Sequence, residues 1–226
     1  MYFDLNALIN MENGTGTIPK IGDRAPDFQA NSTQGTITLG QFKGKWVVLF
    51  SHPADFTPVC TTEFTEFARR YDEFQMRNAQ LVGLSIDSVY SHIAWVLQIE
   101  KMSGVEIKFP IIADLNMQVA NLYGLIHEKS STTSTVRAVF FIDPEGIVRA
   151  LIYYPASTGR NIDEILRVLD SLAYVDSFMI ATPANWKPGQ DVIVPQPSTL
   201  EGAKARINDN TLKVKDWFLA SKQVKK

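Results

Sequence analysis

The chain contains one cysteine, Cys60, in 226 residues. An intramolecular disulfide is therefore excluded, and with it a secreted disulfide framework. Charge of one sign is also missing: 22 Lys and Arg stand against 24 Asp and Glu, a formal net charge of −2. That balance gives no electrostatic basis for binding nucleic acid or an anionic membrane. Long hydrophobic runs are absent, and the longest apolar stretches, such as residues 46–50, are strand-sized. The three histidines, His52, His92 and His127, are far apart in sequence and lack an i, i+4 partner. No metal site is expected from that spacing. No glycine-rich phosphate loop follows a strand, so no nucleotide cofactor is expected either. Residues 1–20 are polar and lack the charged start and apolar core of a signal peptide, so a reducing, cytoplasmic setting is expected.

What is present is the composition of a soluble globular protein, 45% apolar and 20% charged, long enough for one substantial domain and a smaller appendage. Residues 1–20 read as an N-terminal arm ending near Pro19. From 21 to 175, strands alternate with helices. Trp46–Phe50 and Leu81–Ile86 are continuous apolar runs of buried-strand type. Between them Phe64, Phe67, Ala68, Tyr71 and Phe74 recur at helical spacing. A second helix is predicted from Val89 to about Lys101, with Val89, Ile93, Val96 and Leu97 on one face. Val136–Ile142 and Ile147–Tyr154 predict a hairpin across Asp143-Pro144-Glu145-Gly146. A helix follows, capped by Asn161, with Ile162, Ile165, Leu166, Leu169 and Leu172 as its apolar stripe. This order predicts an α/β fold, compatible with a thioredoxin-like core. Residues 176–226 form a smaller C-terminal domain and tail. Pro183, Pro188, Pro195 and Pro197 punctuate this part, and periodic signals are few. It is expected not to bury a core of its own, and to lie along the main domain or a partner subunit. The basic stretch 213–226, around Trp217 and Phe218, reads as a solvated face.

The chemistry concentrates in residues 51–63, Ser-His-Pro-Ala-Asp-Phe-Thr-Pro-Val-Cys-Thr-Thr-Glu, between a buried strand and an amphipathic helix. Thr57-Pro58 is a helix-start signal, with Thr as N-cap and Pro at the first helical position. Cys60 then falls in the first turn, where free N–H groups and the positive end of the helix dipole favour an anion. A thiolate is the nucleophilic form of cysteine, and such positions can lower a thiol pKa well below ~8.5. The Thr57 hydroxyl is placed to cap the helix or to hydrogen-bond the reacting atoms, and the sequence leaves both open. His52 and Glu63 are nearby polar groups suited to tuning the site. Arg137 is the only charge in an otherwise apolar strand, and a guanidinium there is best satisfied beside an anion such as a thiolate. Arg149 also interrupts a strand and suggests no role, and Arg160 reads equally well as a loop arginine. Taken alone, these residues leave a buried, inert cysteine as an open alternative.

The string Pro53-x-x-x-Thr57-x-x-Cys60 resembles the active-site signature of the peroxiredoxins, and the wider match resembles the one-cysteine, peroxiredoxin-6-like subfamily. The likeness continues through Leu84–Ser88, Phe109–Ile112, Arg137, Tyr154–Asn161 and Ala181–Gly189. It spans roughly residues 21–200, in order. The resemblance implies a thioredoxin-like core with a smaller C-terminal domain, and a thiol-dependent peroxidase acting on hydrogen peroxide and organic hydroperoxides. By the same resemblance Cys60 is the peroxidatic cysteine, Thr57 and Arg137 meet the peroxide oxygens, and Pro53 shields the site. His52, Glu63 and Arg160 support it. It also implies homodimers with exchanged C-terminal segments, able to assemble into a decameric ring. No cofactor is implied.

Two departures limit what carries over. The C-terminal region holds no resolving cysteine, so the sulfenic acid is expected to be recycled by an external thiol. Residues 44–47, Gly-Lys-Trp-Val, lack the serine that vertebrate relatives carry for a phospholipase activity, so that activity is not expected. The arm 1–20 is also longer than is usual for the family. Two other classes of function compete: a redox sensor or stress-responsive holdase, in which Cys60 oxidation is a signal, and a scaffold with an inert cysteine.

Overall fold

The computed structural model describes residues 18–224. The arm expected over residues 1–20 lies outside the described residues except for its last three. The chain separates into two compact units, one running to Arg160 and the other beginning at Asn161.

The first unit is built on a sheet that has seven strands among the described residues, in the order β2-β1-β5-β4-β3-β6-β7. Its central strands are the predicted apolar runs. β3 (Trp46–Ser51) is buried at every position, because it lies between β4 (Ala79–Ser85), parallel to it, and β6 (Arg137–Ile142), antiparallel. A strand covered on both faces needs no polar alternation. β5 (Ile111–Ala113) extends the parallel part. The hairpin of β1 (Gln29–Ser32) and β2 (Gly35–Thr38) closes one edge, and the sequence reading did not separate it from the surrounding loop. β7 (Val148–Tyr154) closes the other edge. The β6–β7 turn forms as expected. Gly146 N–H donates to the Asp143 carbonyl at 2.9 Å, while the Asp143 carboxylate accepts from the amides of Glu145 and Ile147.

Successive side chains of a strand point to opposite faces, and the two faces differ here. Val47 and Leu49 of β3, Val82 and Leu84 of β4 and Phe140 of β6 share one aliphatic-rich core. On the other face Phe50 stacks on Phe67 at 4.2 Å between ring centroids and packs against Phe64 and Phe109. Phe64 and Phe67 come from helix α1 (Pro58–Arg69). The helical spacing through Phe74 is interrupted at Arg70, so Phe74 belongs to a separate short helix, α2 (Tyr71–Gln75). Helix α3 (Val89–Ser103) starts at Ser88, whose hydroxyl accepts from the Ser91 amide, and ends at Gly104 in a left-handed conformation. Its buried face corrects the sequence reading. His92, Trp95 and Ile99 are inward, whereas Ile93 and Leu97 are exposed. Helix α4 (Gln118–Leu122) is short.

The second unit opens with α5 (Ile162–Phe178), capped as predicted by the Asn161 side chain accepting from the Glu164 amide. Its stripe of Ile162, Ile165, Leu166 and Leu169 is buried. β8 (Val192–Val194), α6 (Leu200–Ile207), β9 (Lys213–Asp216) and β10 (Leu219–Lys222) follow. The strands pair antiparallel in the order β8-β10-β9. This segment does bury a small core, contrary to expectation. Ile180, Trp186 and Val192 are enclosed with Tyr174 and Phe178 against them, and the Trp186 indole donates to the Gln190 carbonyl at 3.2 Å. One buried tryptophan supplies the apolar area that the proline-punctuated pattern does not advertise. No described helix is long and apolar enough to cross a membrane.

Candidate active site

The site is assembled where β3 ends and α1 begins. β3 ends at Ser51 with His52 directly after it, residues 53–56 turn the chain, and Thr57 is the N-cap of α1 with Pro58 inside its first turn. Phe56 takes φ +55°, a left-handed conformation that a bulky residue adopts only when its surroundings impose it. Those surroundings are visible. The Asp55 amide donates to the Asp87 carboxylate at 3.1 Å, and the Thr57 hydroxyl donates to the Ala54 carbonyl at 2.9 Å. Of the two roles left open for Thr57, helix capping is not observed, because its side chain makes no cap hydrogen bond. The hydroxyl oxygen keeps its acceptor capacity.

Cys60, one residue short of a full turn into α1, is fully buried. Arg137, the first residue of β6, reaches it from the neighbouring strand: Nη1 donates to Sγ at 3.3 Å and to Oε2 of Glu63 at 2.7 Å. Its Nε and Nη2 both donate to the Ala156 carbonyl, at 3.0 and 2.8 Å, which fixes the plane of the guanidinium. Glu63 lies one turn beyond Cys60 on the same helix face. It also accepts from Arg160, through the amide at 2.8 Å, Nε at 2.9 Å and Nη2 at 2.6 Å. Arg160 Nη1 donates in turn to the carbonyls of Ser51 and Ala138, and its guanidinium lies over the rings of Phe50 and Phe67. Burial pushes the Glu63 carboxyl up, but the charge and hydrogen bonds of Arg160, with Arg137, outweigh it and hold the group below the usual carboxylate range. Two buried guanidinium groups thus share one carboxylate. A thiolate at Cys60 completes the charge balance of this cluster; a neutral thiol leaves one buried positive charge without a counterion.

His52 is buried, stacked on the Trp95 indole with ring centroids 5.1 Å apart and edge-on to Phe64. Its Nε2 lies 2.9 Å from Oδ1 of Asp55. The other side of Asp55 is taken by His92, whose Nδ1 is 2.8 Å from Oδ2. Burial lowers the His52 pKa, against the opposing pull of Asp55. Burial pushes the Asp55 carboxyl up, but hydrogen bonds from His52 and His92 prevail and hold it well below the carboxylate range. Pro53 is half-buried in the same turn.

All seven residues singled out in the sequence therefore meet at the β3–α1 turn or are bonded to it. Two were missed, Asp55 and His92. The sequence reading kept the histidines apart because they are far apart in sequence without an i, i+4 partner, and 37 residues separate Asp55 from His92. The available signal was His92 falling at helical spacing with Trp95 and Ile99, the apolar face of α3. Among the described residues, His52, Asp55 and His92 are also a group whose ligating atoms lie within 4.8 Å of one another. Their 2.8–3.0 Å contacts are hydrogen-bond distances.

Comparison with known proteins agrees with this geometry. Residues 21–151 match the model of the AhpC/TSA family, and residues 171–210 match that of the C-terminal domain of 1-Cys peroxiredoxin. A peroxiredoxin of Aquifex aeolicus is 52% identical over 219 residues, covering 92% of this chain and 98% of that protein. Peroxiredoxin 2 of Thermoplasma acidophilum is 56% identical over 199 residues, covering 88% and 98%. Among solved structures, the yeast mitochondrial 1-Cys peroxiredoxin superposes with a TM-score of 0.81 at 40% identity, over 90% of this chain and 99% of that one. A cysteine-to-serine mutant of peroxiredoxin 6 of Arenicola marina gives 0.81 at 38%, over 92% and 99%. With one cysteine in its sequence and these two domains in order, the chain belongs to the peroxiredoxin family and is a thiol-dependent peroxidase of the one-cysteine type.

Proposed function

We propose that Cys60 is the peroxidatic residue and that Arg137 and Thr57 act at the peroxide oxygens, with Pro53 shielding the sulfur and His52, Glu63 and Arg160 supporting it. The observation that carries this reading is the 3.3 Å contact from Arg137 Nη1 to Cys60 Sγ in a buried site. The thiolate attacks one peroxide oxygen. An S–O bond forms as the O–O bond breaks, and the electron pair leaves on the distal oxygen, which takes a proton and departs as water or an alcohol. Negative charge develops on that distal oxygen, where the fixed guanidinium stabilises it, while the Thr57 hydroxyl, its hydrogen given to Ala54, accepts from the peroxide O–H and orients it. Arg137 is suited to this because Ala156 and Glu63 hold it in place before the reaction. An external thiol then condenses with the sulfenic acid, releasing water, and a second thiol frees Cys60.

Hydrogen peroxide and organic hydroperoxides are the inferred substrates, and a reducing cytoplasm supplies the thiol. We further infer a homodimer with exchanged C-terminal segments, competent to form a decameric ring. The position of β7 favours association, since it is the last strand of the sheet and, of the named strands, pairs with β6 alone; backbone bonds to Gly22 and Asp23 cover its first residue, Val148. The catalytic reading is tested by exposing reduced protein to one equivalent of hydrogen peroxide in the presence of dimedone and mapping the adduct by mass spectrometry. A single adduct at Cys60, none in Cys60→Ser, and turnover only with added thiol support it. A folded protein that forms no adduct returns the scaffold reading to first place.

A further inference from the structure

Asp55 and His92 stand outside the group of residues that meet the peroxide, yet they are buried directly behind one of its supports, His52. With Asp55 ionised, the hydrogen bonds assign which atoms carry protons. His92 Nε2 lies 3.1 Å from the Ile112 carbonyl, which can only accept, so Nε2 carries a hydrogen. His92 Nδ1 lies 3.0 and 2.8 Å from the two oxygens of Asp55. An ionised carboxylate is likewise acceptor-only, so Nδ1 carries a hydrogen as well. His52 Nε2, at 2.9 Å from the same carboxylate, is a donor by the same argument. What is left over is His52 Nδ1, buried and without a hydrogen-bond partner.

We propose that His92 is a positioning residue: an imidazolium bridging the Ile112 carbonyl and the Asp55 carboxylate, which together hold His52 in its Nε2–H form with Nδ1 bare. The tie runs from β5 and α3 into the turn between β3 and α1. Asp55 is fixed at its side chain by two imidazoles and at its amide by Asp87, whose Oδ2 also accepts from the Ser85 hydroxyl at 2.6 Å. Pro53, the strained Phe56 and Thr57 are on the same short turn, so its geometry depends on this anchor. The low pKa of Asp55 agrees with an ionised carboxylate between the rings. The opposite arrangement, a protonated Asp55 donating to a neutral His92, has the same net charge and differs only in where one proton sits. The effect on rate rests on the peroxidase reading, whereas the protonation states do not.

The test is imidazole nitrogen NMR on the reduced, full-length, 15N-labelled protein, whose three histidines are assigned with His127→Gln and His92→Gln. Two protonated nitrogens on His92, with one protonated Nε2 and one pyridine-type Nδ1 on His52, are expected. A pyridine-type nitrogen on His92, or a hydrogen on Nδ1 of His52, overturns the proposal. So does loss of both hydrogens that face Asp55, which would mean a cation occupies their place. The second arm compares Cys60 oxidation by hydrogen peroxide with its alkylation by iodoacetamide in Asp55→Asn and His92→Gln. Misplacing the turn is expected to slow oxidation about 10- to 100-fold while alkylation stays near that of wild type. Folded variants that oxidise at the wild-type rate overturn the positioning role. A wild-type protein that is not oxidised at all would instead sink the peroxidase reading, and the nitrogen spectrum would still decide the proton placement.

Discussion

At the scale of single residues, the site is a problem of burying charge. Glu63 is the shared counterion of Arg137 and Arg160, with all three side chains almost completely enclosed. Removing one partner of such a set is costly because the others stay buried and unpaired, at about 3–5 kcal/mol. Glu63→Gln keeps the shape and loses the charge, and is expected to lower unfolding stability by an amount of that order in denaturant titration. A loss below ~1 kcal/mol would show that the arginines find other partners or water. Much of this chemistry was legible in the sequence. A Thr-Pro helix start placed Cys60 in a first turn, and a lone arginine in an apolar strand asked for an anion. The family resemblance then joined the two. Glu63 was visible only as a nearby polar residue, because its function depends on a loop arginine 97 residues later. The pairing of Asp55 with His92 was illegible for the same reason: the spacing of His92 with Trp95 and Ile99 marks it for burial, but no local pattern reports a partner that only the tertiary fold supplies.

At the scale of elements, strands covered on both faces and capped helices were readable, and elements defined by tertiary contact were not. β3, β4 and the β6–β7 hairpin follow from continuous apolar runs and a Pro-Glu-Gly turn. The α3 face was misassigned because four aliphatic residues fit one helical stripe while His92 and Trp95, which the fold buries, fit another. The short β1–β2 hairpin carries too little apolar alternation to stand out. Gly83 of β4 shows how closely the elements meet: a Cβ there would lie 3.1 Å from the Phe64 ring, which itself packs against His52. Gly83→Ala is therefore expected to destabilise the protein by about 1–3 kcal/mol through overpacking. It should also slow Cys60 oxidation, because the displaced ring belongs to α1. Unchanged thermal unfolding and unchanged oxidation kinetics would show that Phe64 yields freely.

At the scale of the whole molecule, the buried ionisable groups set the response to acid. The His52 pKa is lowered in the folded protein, so below its ordinary value of 6.5 the unfolded chain takes up a proton that the native state resists. Asp55 and Glu63 are lowered from 3.8 and 4.5, and their contributions are lost as pH falls below those values. Asp114, raised by burial against hydrogen bonds from Ala120 and Val119, acts in the opposite direction. His52 first, then Glu63 and Asp55, act against Asp114 alone, and together they predict that unfolding stability declines from about pH 6.5 to about pH 3. Urea titrations across that range check it, and a flat or rising profile would show that these groups are not ionised as described. The small core of the C-terminal unit around Trp186 was hidden because one large ring replaces the periodic stripe on which sequence reading relies.

The central claim, that a preorganised guanidinium makes Cys60 a peroxide nucleophile, is tested most directly by the rate of Cys60 oxidation in Arg137→Ala set against wild type, followed by stopped-flow fluorescence. Loss of a donor aimed at the developing charge predicts a fall of about 100- to 1,000-fold in the rate with hydrogen peroxide, in a protein that remains folded. A folded variant oxidised as fast as wild type would contradict the account.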